Sequence, residues 1–251
     1  MGDVEYAVQM KSITKRFSQI TANCSVDLSI KKGEIHSLLG ENGAGKTTLM
    51  KILYGMYQPD QGEIFINGRR ELISSPEKAI RLGIAMVHQH FMLVEPMTVA
   101  ENIVLGWEPR KGIFFDREAS ETRVAEISQR YGLKVDPAAR IEDMPVGTKQ
   151  RIEILKALYR KAEILILDEP TAVLTPLEVE ELFSILVDLK KAGKSIIIIT
   201  HKLSETMRIA DRITVLRGGS VAGEVEKSAT DESALARIMV GRKVSFQIDR
   251  G

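Results

Sequence analysis

The run GENGAGKTT, from Gly40 to Thr48, sets three glycines, a lysine and two threonine hydroxyls side by side, a set whose chemistry is the holding of phosphate. Gly40, Gly43 and Gly45 let the backbone turn tightly, so that N–H groups along Glu41, Asn42 and Ala44 come close to phosphate oxygens. The helix that begins at TTLMKILYG adds a favourable partial charge at its N-terminus. Lys46 would reach the β- and γ-phosphates of a nucleoside triphosphate. Thr47, with Thr48 behind it, offers a hydroxyl to Mg²⁺, an ion that prefers hard oxygen ligands. A glycine-rich turn with no ligand is the competing reading; the apolar strand before the run and the helix after it favour phosphate.

A second set lies in ILILDEP, where two acids close an apolar run. Ligands gather at the carboxyl ends of parallel strands, which would put Asp168 and Glu169 beside the phosphate loop. Asp168 would hold Mg²⁺ directly or through water. Glu169 could orient and deprotonate an attacking water, the general-base role in γ-phosphate hydrolysis. Alone, two acids before Pro170 read equally well as a solvated turn.

These residues need a sheet to align them. EIHSLLG at 34–40, EILILDEP at 163–170, SIIIIT at 195–200 and RITVL at 212–216 are continuous apolar runs that suit strands buried on both faces, and each of the first three leads into a helical pattern. The clearest helix spans 177–190, with Leu177, Leu182, Phe183, Ile185, Leu186 and Leu189 as its apolar stripe and Gly193 as its stop. Residues 7–30 and 62–69 read as short antiparallel strands. From about 90 to 160 strand-like runs vanish and helical ones such as REASETRVAEISQRYGL and QRIEILKALYRKA take over. The expected organisation is one α/β domain over 1–251, with a core of about 1–89 and 161–251 and an inserted helical subdomain of about 90–160.

Lysine and arginine number 35 against 34 acids, so no positive surplus suggests binding to a nucleic-acid backbone. The longest aliphatic run falls far short of the roughly 20 residues of a membrane helix. The first residues lack an export signal, which places the expected location in the cytosol. Cys24, the single cysteine, is expected to be a small packing residue.

Taken together, the phosphate loop, the ILILDEP acids and the long interval between them resemble the nucleotide-binding subunit of an ATP-binding cassette (ABC) transporter, over essentially the whole chain. The resemblance implies the ABC ATPase fold: a P-loop NTPase core with a mainly parallel sheet, an N-terminal antiparallel β subdomain and the helical insertion. It also implies ATP and Mg²⁺ as cofactors. Phe17 in ITKRF corresponds to the aromatic that stacks on adenine; a core phenylalanine is the alternative. Gln89 in MVHQHF matches the glutamine that touches Mg²⁺ or the lytic water. Its neighbours His88 and His90 could suggest a metal site, against which adjacent strand side chains point to opposite faces. His201 matches the switch histidine that contacts γ-phosphate and holds Glu169.

Two stretches depart from the family pattern. Met144, Pro145, Val146 and Gly147 stand where a leucine, a serine and two glycines close over the ATP of a partner cassette, followed by Thr148, Lys149 and Gln150. Only Gly147 is retained. Proline suits the first turn of a helix, but the hydroxyl is lost, and a hydrogen bond to a charged group contributes about 1.5–3 kcal/mol. Lys149 could recover part of that by charge. A helix start of no functional weight is the alternative. In TAVLTP, Thr175 takes the place of an aspartate that couples the two sites.

The wider resemblance of MVHQHFMLVEPMTVAENI, EILKALYR and DEPTAVLTPLE is to the first half of tandem ATPases that power importers of simple sugars and nucleosides, nucleosides being the closer branch. It implies a second cassette, transmembrane permease subunits, an indirect link to a substrate-binding protein, and a peripheral position on the cytoplasmic face of the membrane. VGRKVSFQIDRG lies about where a linker to a second cassette would begin. Phe91, Met92, Trp107, Phe114 and Phe115 lie near the place where the family receives a permease helix, although for Trp107 burial in the helical subdomain's own core is the preferred reading. The alternatives are a non-transport ABC ATPase acting on nucleic acid or the ribosome, and a binding-only regulatory cassette.

Overall fold

The protein is described by a computed structural model over residues 5–241; the expected linker beyond 241 lies outside the described residues. β1 (Tyr6–Phe17) and β2 (Ile20–Lys31) pair antiparallel over twelve residues each. They are therefore long rather than short, with register shifts near Ser12 and Ser25, whose φ values are 53° and 48°. β3 (Ile35–Leu39) leads through the glycine run into α1 (Lys46–Leu53). The expected strand at 62–69 is split by an Asn67–Gly68 turn, both residues at positive φ, into β4 (Gln61–Ile66) and β5 (Arg69–Glu71). The resulting antiparallel sheet has the order β2-β1-β4-β5.

Next come α2 (Pro76–Arg81), β6 (Ile84–Val87) and α3 (Val99–Val104). Between 90 and 160 strands do not vanish entirely, because β7 (Arg110–Lys111) and β8 (Phe114–Phe115) form a small hairpin turning at Gly112. α4 (Arg117–Tyr131) is capped by Asp116 at its start and by Gly132 in the left-handed region at its end. α5 (Val146–Tyr159) follows. β9 (Ile164–Asp168), α6 (Pro176–Lys191), β10 (Ser195–Thr200), α7 (Leu203–Ile209), β11 (Arg212–Arg217), β12 (Ser220–Glu226) and α8 (Glu232–Val240) complete the chain.

The central sheet has the order β12-β11-β3-β10-β9-β6, parallel except for β12. Side chains alternate across it. Leu165, Leu167, Ile196 and Ile198 pack with α3, α5 and α6, while Ile164, Ile166, Ile197 and Ile199 pack with α1 and the antiparallel sheet. Each such fully buried side chain stabilises the fold by about 1.5–3 kcal/mol relative to exposure, which is why these strands read as unbroken apolar runs. The register sets Ile199 beside Asp168 and Thr200 beside Leu39, so β3, β9 and β10 end on one line.

Three single-residue expectations fail. Leu177 is 71% exposed, because Val179 takes its place on the buried stripe of α6. Cys24 is exposed rather than packed. Trp107 is half exposed and so is not a core residue of the helical region. Among the described residues no helix is long and apolar enough to cross a membrane.

Candidate functional site

β3 delivers Gly40 to the end of the sheet, and the loop from there to Lys46 forms by necessity of space. A Cβ on Gly40 would lie 2.4 Å from the Leu216 carbonyl oxygen, and one on Gly45 would lie 2.3 Å from that of Ala22. Gly43 and Gly45 also hold φ values of 81° and 96°, which other residues rarely adopt. The loop, with Asn42, Ala44, Thr47 and Thr48, lines a cavity of about 520 Å³ that Gln89 and Glu169 also reach.

Lys46 is buried and folds back, its Nζ donating to the carbonyls of Gly40 at 2.6 Å and Glu41 at 2.9 Å. Burial lowers its ammonium from the usual lysine range, and the charges of Glu169 and Asp168 oppose that shift. Asp168 is 6% exposed at the end of β9 and accepts from Thr47 Oγ1 at 3.4 Å. Burial first, then the charge of Glu169, raises its carboxyl above the ordinary range. Asp168 and Glu169, with the Thr47 hydroxyl and the Gln89 amide, offer oxygen donors at this end of the sheet, a chemistry that fits a hard divalent ion such as Mg²⁺.

Glu169 has φ 47°, a left-handed backbone for a non-glycine residue, and its N–H donates to the Ile199 carbonyl at 3.0 Å. Such strain costs on the order of 1–3 kcal/mol and persists only where surrounding structure enforces it. Here it turns the Glu169 side chain toward His201, whose Nδ1 lies 3.0 Å from Oε1. Gln89 is exposed, two residues past the end of β6, so His88 to His90 belong to a loop and strand alternation does not apply to them. His88 instead packs edge-on against Tyr54 at 6.1 Å.

Phe17 closes β1 and is 39% exposed, its ring edge-on to Tyr57 at 5.2 Å. The wall of the phosphate cavity on that side comes from Ile20, Thr21 and Ala22. The expected signature residues line a different surface. Pro145 is the N-cap of α5, one residue ahead of its first turn, Val146 is exposed, and Gly147 is buried. The Gly147 N–H donates to Glu178 Oε1 at 3.0 Å, and Lys149 Nζ forms an ion pair with Glu95 Oε1 at 3.5 Å. Thr175 caps α6 in a reciprocal box with Glu178.

Sequence reading missed the far wall of the cavity, the Gly218–Gly219 turn between β11 and β12. Gly219 N–H donates to the Ala44 carbonyl at 3.2 Å and its carbonyl accepts from Cys24 N–H at 2.8 Å. Asn23, fully buried, donates from Nδ2 to the Gly45 carbonyl at 3.2 Å. The paired glycines in RGGS, set between two strands, were the available signal for the turn; Asn23 carried none.

A phosphate loop running from one strand of a parallel sheet into a helix, an acid-ended strand in the same sheet, an antiparallel sheet beside it and a helical region between them in sequence define an ATP-binding cassette. The chain belongs to the ABC transporter family, whose model matches residues 24–172, more than half of it. It is 57% identical over 242 residues to the nucleoside import ATP-binding protein NupA of Lactococcus lactis, covering 96% of this chain and 48% of that protein. It is 55% identical over 247 residues to the guanosine import ATP-binding protein NupO of Bacillus subtilis, covering 98% and 48%. The dimeric structure of MJ0796, a bacterial ABC transporter cassette, superposes with a TM-score of 0.75 at 26% identity, covering 88% of this chain and 98% of that one. The chain thus spans about half the length of the curated relatives it matches.

Proposed function

We propose that this chain is an ATP-binding and hydrolysing cassette that powers import of nucleosides or simple sugars, acting with a second cassette and with permease subunits at the cytoplasmic face of the membrane. The observation that carries it is the convergence of Lys46, Thr47, Gln89, Asp168 and the His201-held Glu169 on the end of the sheet that carries the glycine-rich loop. The nucleoside names of the relatives at 57% and 55% identity support the nucleoside branch.

Bound MgATP would supply the γ-phosphate to be cleaved and an ion that offsets its charge. Lys46 exchanges its two backbone carbonyls for phosphate oxygens. Thr47, Gln89 and Asp168 would hold the ion, and Phe17 offers an exposed ring for stacking. Glu169 takes the proton of the attacking water, and His201 keeps its carboxylate aimed. A paired Glu169 and His201 argue against a cassette that only binds, and the near-zero net charge of +1 argues against a nucleic-acid factor.

Pro145, Val146, Gly147 and Lys149 face the partner's ATP, so the two composite sites differ. The site in this chain hydrolyses with an intact partner signature, while the reciprocal one is slow. Exposed Met92, Trp107, Phe114 and Phe115 form the permease contact. ATP turnover measured for the chain alone and with its candidate second cassette tests the asymmetry: stimulation is expected, and equal turnover overturns it.

A further inference from the structure

The loop carrying Gln89 is held in an unusual way. Of its side chains, Leu93 packs against the core, whereas Met92 is 60% and Val94 40% exposed. The backbone on either side of Leu93 is held as well. Met92 N–H donates to Glu153 Oε1 at 2.6 Å, and Met92 C=O accepts from Lys156 Nζ at 2.9 Å. Two residues on, Val94 N–H donates to Asn102 Oδ1 at 2.7 Å while Val94 C=O accepts from Asn102 Nδ2 at 3.0 Å.

The residues that hold it are costly ones for their positions. Asn102 is fully buried on α3, and Glu153 is 6% exposed on α5 between the buried Ile152 and Ile154. A carboxylate there destabilises the fold unless it is hydrogen-bonded, and an apolar residue would pack at that position without such a cost. Glu153 and Lys156, three positions apart, share one face of α5 and take the two ends of a single peptide residue. The same α5 begins at Pro145, about two helical turns away.

Resting on the ATP reading above, we propose that Glu153, with Lys156 and Asn102, is a positioning residue for Gln89. The clamp sets where the loop presents the Gln89 amide to the nucleotide-bound ion, and it makes that placement follow α5. A partner that moves the start of α5 thereby moves Gln89.

Glu153→Leu and Glu153→Gln, each made in the wild-type and Gln89→Ala chains, test this with two measurements. In the nucleotide-free chain, amide exchange at Met92 should be slow in wild type and in Glu153→Gln, which keeps an acceptor, and about tenfold faster or more in Glu153→Leu. Glu153→Leu should also weaken ATP binding in Mg²⁺ by about tenfold or more, leave ATP binding in EDTA unchanged, and add nothing further in the Gln89→Ala chain. Unchanged Met92 exchange, or equal losses with and without Gln89, overturns the clamp. Failure of the wild-type chain to bind MgATP, or binding indifferent to Lys46→Ala, overturns the ATP reading itself and this inference with it.

Discussion

His201 Nδ1 lies 3.0 Å from Glu169 Oε1, joining residues that two neighbouring strands, β10 and β9, deliver side by side. With its N–H bound to the Ile199 carbonyl as well, Glu169 is held at backbone and side chain in a conformation it would not adopt unaided. His201→Ala removes one of these restraints. Turnover should fall on the order of 100-fold, the scale of a misplacement of about 1 Å, while ATP affinity changes far less; kinetics beside equilibrium binding separate the two.

Glu178 serves two helices at once. Its carboxylate closes the capping box of α6 with Thr175 and also accepts from Gly147 at the start of α5. A Cβ on Gly147 would lie 2.5 Å from Glu178 Oε1, so Gly147→Ala must push that carboxylate aside. The expected loss is about 1–2 kcal/mol in urea unfolding, and Glu178→Ala should not add to it in the double variant.

Much of this arrangement is legible in the amino-acid sequence. Gly40 to Thr48 combines glycine permissiveness with a lysine, and the apolar runs at 34–40, 163–170 and 195–200 specify a parallel sheet because both its faces are covered. The unread parts depend on contacts distant in sequence. Glu169 is left-handed only because Ile199 and His201 hold it so. β12 has no fully buried side chain and exists through its pairing with β11. Leu177 is an apolar residue that no neighbouring element covers, Trp107 is only half covered, and the Gly218–Gly219 turn meets the phosphate loop only once β11 lies beside β3.

Burial is the largest influence on Glu153 and raises its carboxyl above the ordinary range, with Lys156, the Met92 N–H and Arg160 opposing. A raised value means that its contribution to stability is fully present below the ordinary carboxylate range and is lost as pH rises through the folded value. Glu153→Gln, which never ionises, should therefore be the more stable chain near about pH 7, and the gap should close toward about pH 4. Urea midpoints at both pH values check this.

If Pro145 faces the second cassette as proposed, restoring a hydroxyl there should act on the other nucleotide site. Pro145→Ser is expected to strengthen ATP-dependent association with the second cassette by about one to two orders of magnitude, leaving ATP affinity of this chain alone unchanged. Sedimentation with and without ATP measures it.

The proposed function makes hydrolysis at this cavity rest on one carboxylate, and Glu169→Gln probes it directly in the paired cassettes. The variant should bind MgATP about as tightly as wild type while turnover falls by about 10²–10⁴-fold, the usual share of a general base. Turnover within a few-fold of wild type would contradict the assignment of Glu169 as the base and, with it, the reading of this end of the sheet as the hydrolytic site.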